Sequence, residues 1–144
     1  MLDIRPSLAF LLFAGSTLAA VLIGGCLGGG PASGDRVSRT IPPGEASALI
    51  EERGGDPMFV VIDVRRPEEY AGGHIPGAIS IDSAHFSESL ESLDANGTYV
   101  LCCQRGGRSA GVRKLMGEAG FCEVYDIKGG LNAWKAAGLP VTKD

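Results

Sequence analysis

The chain has 144 residues, 17 acidic against 13 basic for a net charge of −4, and 44% hydrophobic residues. That balance argues against a nucleic-acid partner or an acidic membrane surface. Its four cysteines, Cys26, Cys102, Cys103 and Cys122, are too few and too unevenly spaced for a disulfide scaffold. With two of them adjacent and only two histidines present, they also lack zinc-type spacing, so neither a metal nor another cofactor is expected.

Residues 1–7 carry one Arg and one Asp, and residues 8–25 are free of charge. Residues 1–25 therefore read as a signal or membrane-targeting segment. The run Ile23-Gly24-Gly25-Cys26 resembles a lipobox, which makes Cys26 a candidate for lipidation after cleavage. An uncleaved transmembrane anchor is the alternative, since the apolar run is just long enough to span a bilayer. Both readings place the rest of the chain outside the cytoplasm, tied to the membrane. Residues 26–36, rich in Gly, form a flexible tether. Residues 37–144 suit one small domain with a single core.

Within that domain the pattern predicts a short strand over Val37–Ile41, broken by Pro42-Pro43-Gly44, and a helix over residues 45–52 with Ala46, Leu49 and Ile50 on one face. Phe59–Asp63 is a continuous apolar run ending in an acid, the mark of a strand buried on both faces. Pro67 opens a short helix over Pro67–Ala71, with Glu68 and Glu69 at its positive end. Residues 72–77 read as a loop, 78–81 as a strand and 83–93 as a weak helix. A buried strand from Tyr99 to Cys102 follows, then a helix over 107–119, a strand over 121–127 and a last helix over 131–137 stopped by Gly138 and Pro140. Strands alternate with helices throughout, which predicts an α/β domain built on a parallel sheet. Asn96-Gly97-Thr98 matches a glycosylation acceptor and reads better as a turn.

The chemistry concentrates in Cys103-Gln104-Arg105-Gly106-Gly107-Arg108-Ser109, a Gly-rich loop between a buried strand and an amphipathic helix. Such a loop gathers backbone N–H groups at a helix start, which favours an anion and equally a thiolate. A fall of about two units from a free-cysteine pKa of roughly 8.5 would leave about three quarters of Cys103 ionised at pH 7. Arg105 and Arg108 make the pocket basic on an acidic protein, suiting a small anionic substrate. Arg113 and Lys114 read as solvated surface charge.

Several segments together resemble the rhodanese family of sulfurtransferases. They are Asp63-Val64-Arg65 followed by Glu68-Glu69-Tyr70, Gly73-His74-Ile75-Pro76-Gly77-Ala78, the cysteine loop, and Gly129-Gly130-Leu131-Asn132-Ala133-Trp134 with Gly138-Leu139-Pro140-Val141. The resemblance implies about five parallel strands flanked by helices on both faces. It implies Cys103 as the nucleophile, forming a persulfide with a small anionic sulfur donor such as thiosulfate and passing the sulfur to a thiol or cyanide. Gln104, Arg105, Gly106, Gly107, Arg108 and Ser109 would bind substrate. Arg108 would bridge the loop to the sheet or neutralise the anion, and Ser109 would cap the helix. Asp63 and Arg65 are expected to brace the loop, His74 to pack and hydrogen-bond, Trp134 to lie in the core, His85 to be solvated and Cys122 to be a partly buried bystander.

Two rival functions remain at the level of sequence. Cys102 and Arg108 are also spaced Cys-x5-Arg, the pattern of cysteine phosphatases, some of which share this fold with a longer loop. The domain could also serve as a sulfur carrier or redox module for a protein partner without steady turnover.

Overall fold

The computed structural model describes residues 35–144, so the signal segment, Cys26 and nearly all of the tether lie outside the described residues. Five strands form one sheet: β1 (Val37–Ile41), β2 (Phe59–Asp63), β3 (Ile79–Ser80), β4 (Thr98–Cys102) and β5 (Glu123–Ile127). Their order is β1-β5-β4-β2-β3 and every pairing is parallel. The helices between them are α1 (Pro43–Arg53), α2 (Pro67–Ala71), α3 (Phe86–Ser89), α4 (Gly107–Glu118) and α5 (Gly130–Ala136).

Side chains alternate between the two faces of a strand, and the sheet buries both. Along the central strand β4, Val100 and Cys102 join a cluster with Ala46 of α1 and Leu131 and Trp134 of α5. Tyr99 and Leu101 point the other way, onto Phe86 of α3 and Val112 and Met116 of α4. All five residues of β4 are buried. The uninterrupted apolar run in the sequence is the direct consequence of this two-sided burial.

Four expectations need correction. The strand does end at Ile41, but the first helix begins at Pro43 rather than at residue 45, at a position where the missing proline N–H costs nothing. The strand near residue 80 shrinks to two exposed residues, because β3 is an edge that pairs with β2 only through Ile62–Ile79 and Asp63–Ser80. The helix over 83–93 breaks into 3-10 turns at Ser83–His85 and Leu90–Ser92 around the single turn of α3. Phe86 is its one fully buried anchor, and the Asp82 carboxylate and Ser92 hydroxyl bond backbone groups locally instead. The last strand starts at Glu123, since the N–H groups of Phe121 and Cys122 are spent on Met116 and Ala95 carbonyls.

The order of the strands positions the site. From β2 the chain moves to β3 on one side, and from β4 it moves to β5 on the other. The carboxyl ends of β2 and β4 therefore flank a switch point, the place where open parallel sheets leave a crevice for ligands. Asp63 ends β2 and Arg65 follows it into the crevice, and Cys103 follows β4.

Candidate active site

Cys103 is the first residue past β4, and Gly106 turns the chain back toward it. Gly106 adopts φ +97°, a left-handed conformation open to glycine, and is the N-terminal boundary residue of α4. That turn aims the Gly106 N–H at Cys103 Sγ, 3.1 Å away. Ser109 Oγ lies 3.4 Å from the same sulfur and within 3.2 Å of the Gly106 carbonyl. Ser109 is fully buried in the first turn of α4 and does not cap it, contrary to expectation; the boundary position belongs to Gly106. Its hydroxyl sits between the sulfur and the Gly106 carbonyl, to which it donates.

Burial is the largest influence on the Cys103 thiol and pushes its pKa up. The Ser109 hydroxyl and the N–H groups of Ser109, Gly106 and Arg105 together outweigh it and hold the thiol below its ordinary value. Cys102 next door behaves oppositely. Its side chain lies on the other face of the sheet and donates to the Cys103 carbonyl at 3.4 Å. Burial, aided by the negative charges of Asp63 and Cys103, pushes the Cys102 thiol far above the usual range. It has no route to a substrate in the cleft.

The loop is held from behind by α5. The N–H groups of Leu131 and Asn132 donate to the carbonyls of Cys103 (2.7 Å) and Gln104 (3.1 Å). Such an approach requires Gly130: a Cβ there would stand 2.3 Å from the Cys103 carbonyl oxygen, and its φ of +58° is already left-handed. In the sequence Gly129-Gly130 belongs to a family-resembling segment just ahead of the last helix, with no role toward the loop. Their positive-φ requirement and backbone-to-backbone contact with the loop carry no signal beyond the glycines themselves.

A buried ion pair holds the loop from the front. Arg65 Nε and Nη2 grip the Asp63 carboxylate at 2.7 to 3.1 Å. The same guanidinium reaches the Gly73 carbonyl at 2.7 Å and Gln104 Oε1 at 3.1 Å. Burial acts first on Arg65, lowering its pKa, but Asp63 more than restores it, so it stays charged. Gln104 also donates to Asn132 Oδ1. Its side chain therefore ties Arg65 to α5 at the edge of the cleft.

Arg108 departs from expectation. It bridges neither to the sheet nor to open space: its Nη1 and Nη2 form a two-pronged bond with Glu69 of α2, at 2.7 and 3.0 Å. That bond is the main cause holding the Glu69 carboxyl down to about 2. Arg105 is exposed, with no carboxylate partner among the described residues. Cys103, Gln104, Arg105, Gly107, Arg108 and Glu69 line one open cleft of about 380 Å³.

Elsewhere, His74 stacks on Tyr70 with ring centroids 3.7 Å apart and bonds the Tyr70 carbonyl, which is a packing role. Trp134 is buried and donates to the Pro140 carbonyl, and His85 is exposed beside Glu88. Cys122 is buried beside the start of β5. Arg113 is not simple surface charge: it pairs with buried Asp126 and with Ser38, fastening α4 to β5 and β1.

The fold agrees with known proteins. The sequence profile of the Rhodanese-like domain matches residues 43–137. YtwF of Bacillus subtilis is 39% identical over 94 residues, covering 65% of this chain and 90% of YtwF. The thiosulfate sulfurtransferase GlpE of Pseudomonas fluorescens is 31% identical over 97 residues, 67% of this chain and 84% of GlpE. The crystal structure of a rhodanese-related protein from Thermoplasma volcanium superposes with a TM-score of 0.65 at 27% identity, covering 74% of this chain and 99% of that one. The chain belongs to the rhodanese-like domain family.

Proposed function

We propose that this protein is a sulfurtransferase that carries a sulfane sulfur from a donor such as thiosulfate to a thiol or cyanide on Cys103. The observation that carries the reading is the sulfur of Cys103, bonded by the Gly106 N–H at 3.1 Å and faced by the Ser109 hydroxyl, on the wall of a cleft lined by Arg105. In the first half-reaction the Cys103 thiolate attacks the outer sulfur of thiosulfate. A new S–S bond forms, the donor S–S bond breaks, and sulfite leaves with its electron pair. In the second, a thiolate or cyanide attacks the outer persulfide sulfur and the Cys103 thiolate is the leaving group. Loop N–H groups and the Ser109 hydroxyl stabilise negative charge on sulfur in both steps. Arg105 offers the sulfonate a guanidinium with no competing carboxylate.

The phosphatase alternative loses its nucleophile, since the Cys102 thiol is buried on the far face of the sheet and held protonated. A steady-state assay with thiosulfate and cyanide tests the proposal: parallel double-reciprocal plots and thiocyanate release are expected for a two-step covalent mechanism. Intersecting plots, or turnover that survives Cys103→Ser, reject it.

We also propose that residues 1–25 direct the chain out of the cytoplasm and that Cys26 is lipidated, tethering the domain to the membrane. Metabolic labelling with a radioactive fatty acid should mark the parent protein and miss a Cys26→Ala variant. Equal labelling of both, or of neither, argues for another anchor or none.

A further inference from the structure

The pocket reads as basic in sequence, but its charges nearly cancel in space. Arg105 and Arg108 supply two positive charges, and Glu69 and the Cys103 thiolate two negative ones, all on the same cleft. Glu69 binds both terminal nitrogens of Arg108, at 2.7 and 3.0 Å, with both side chains about one-third exposed. A sulfonate or other oxyanion entering the cleft therefore competes with a carboxylate already in place for Arg108. Beyond the pair, a second cleft of about 370 Å³ adds Glu68 and Asp82 against Arg66 alone, so no cationic surplus reaches in from that side.

We propose that Glu69 sets donor specificity: by occupying Arg108 it leaves Arg105 as the one guanidinium on the cleft without a carboxylate among the described residues, so a doubly charged donor such as thiosulfate is accepted but gains no advantage over donors carrying one negative charge. Only the natural donor's identity rests on the sulfur-transfer reading; the charge balance is a property of the cleft. Glu69 also accepts the Arg66 N–H at 3.1 Å, a bond that glutamine retains, so Glu69→Gln removes the charge with little change of shape.

The test compares alkylation of Cys103 by iodoacetate and by neutral iodoacetamide, read at Cys103 by mass spectrometry. Taking the ratio of the two rates cancels any change in thiol pKa. Glu69→Gln should raise the iodoacetate-to-iodoacetamide ratio by about fivefold, the scale expected for removing one nearby unit charge. An unchanged ratio in a folded variant overturns the proposal. A second measurement needs no variant: sulfate and methanesulfonate should protect Cys103 of the parent protein from iodoacetamide at similar concentrations. Protection by sulfate at concentrations about tenfold lower contradicts the proposal. If Cys103 takes sulfur from no donor, the functional reading fails while both of these results stand.

Discussion

Cys102 and Cys103 are neighbours in the chain and opposites in chemistry. The alternation of a strand places Cys102 among Ile41, Ala46 and Trp134 on one face of the sheet and turns Cys103 toward the other. Both are almost completely buried, at 1% exposure, so accessibility does not distinguish them. Polar partners do: Cys102 faces apolar neighbours and donates a hydrogen bond to a carbonyl, while Cys103 accepts one from an N–H and faces a hydroxyl. A reactive thiol here is made by the Ser109 hydroxyl and the N–H groups of the loop rather than by exposure or nearby cations. The same alternation holds the two sulfurs on opposite faces, which disfavours a disulfide between them.

The sharpest way to break this contrast is to remove each sulfur. Cys103→Ser should lower sulfur transfer by about a thousandfold or more, because no second nucleophile reaches the cleft. The next effect in size comes from behind the loop. Gly130→Ala places a Cβ against the Cys103 carbonyl and strains a left-handed backbone, at a cost of about 2–4 kcal/mol. Thermal melting should detect that loss, and turnover should fall by about tenfold as the loop shifts. Parent-like melting and turnover would show that α5 does not position the nucleophile.

Ser109→Ala removes the largest of the groups that lower the Cys103 pKa, so the thiol pKa should rise. Iodoacetamide rates should then fall several-fold at pH 7 and converge with the parent's at high pH. Linkage gives the same answer in stability. The folded pKa lies below the unfolded one, so the stabilisation is present above the unfolded pKa of about 8.5 and is lost as pH falls through the folded value. The stability gap between the variant and the parent should therefore widen as pH rises across that window. A gap that narrows contradicts a depressed thiol. Cys102→Ala should have the smallest effect on turnover, within about twofold, while costing about 1–2 kcal/mol of stability for the vacated apolar site. A large loss of turnover without loss of fold would return Cys102 to the chemistry.

The central sheet was legible because its residues repeat simple patterns: the apolar runs at Phe59–Asp63 and before Cys103 have no reading other than strands buried on both faces. The Cys103 loop was legible from its glycines and its place between strand and helix. Long-range pairings were not. Nothing in the spacing of Glu69 and Arg108, 39 residues apart, announces a two-pronged bond, and it offsets one of the two positive charges inferred for the pocket. Arg113 was misread for the same reason, because its partner Asp126 lies on a strand that α4 reaches only in the folded state. The role of Ser109 turned on where α4 begins: as a boundary residue it would cap the helix, but three positions past the boundary at Gly106 its hydroxyl faces the sulfur.

The most direct measurement treats the purified protein with thiosulfate and fragments the peptide between residues 102 and 103 in a mass spectrometer. A gain of about 32 Da, one sulfur atom, on the fragment containing only Cys103 is the predicted result. The same gain on Cys102, with Cys103 unmodified, contradicts the account at its base.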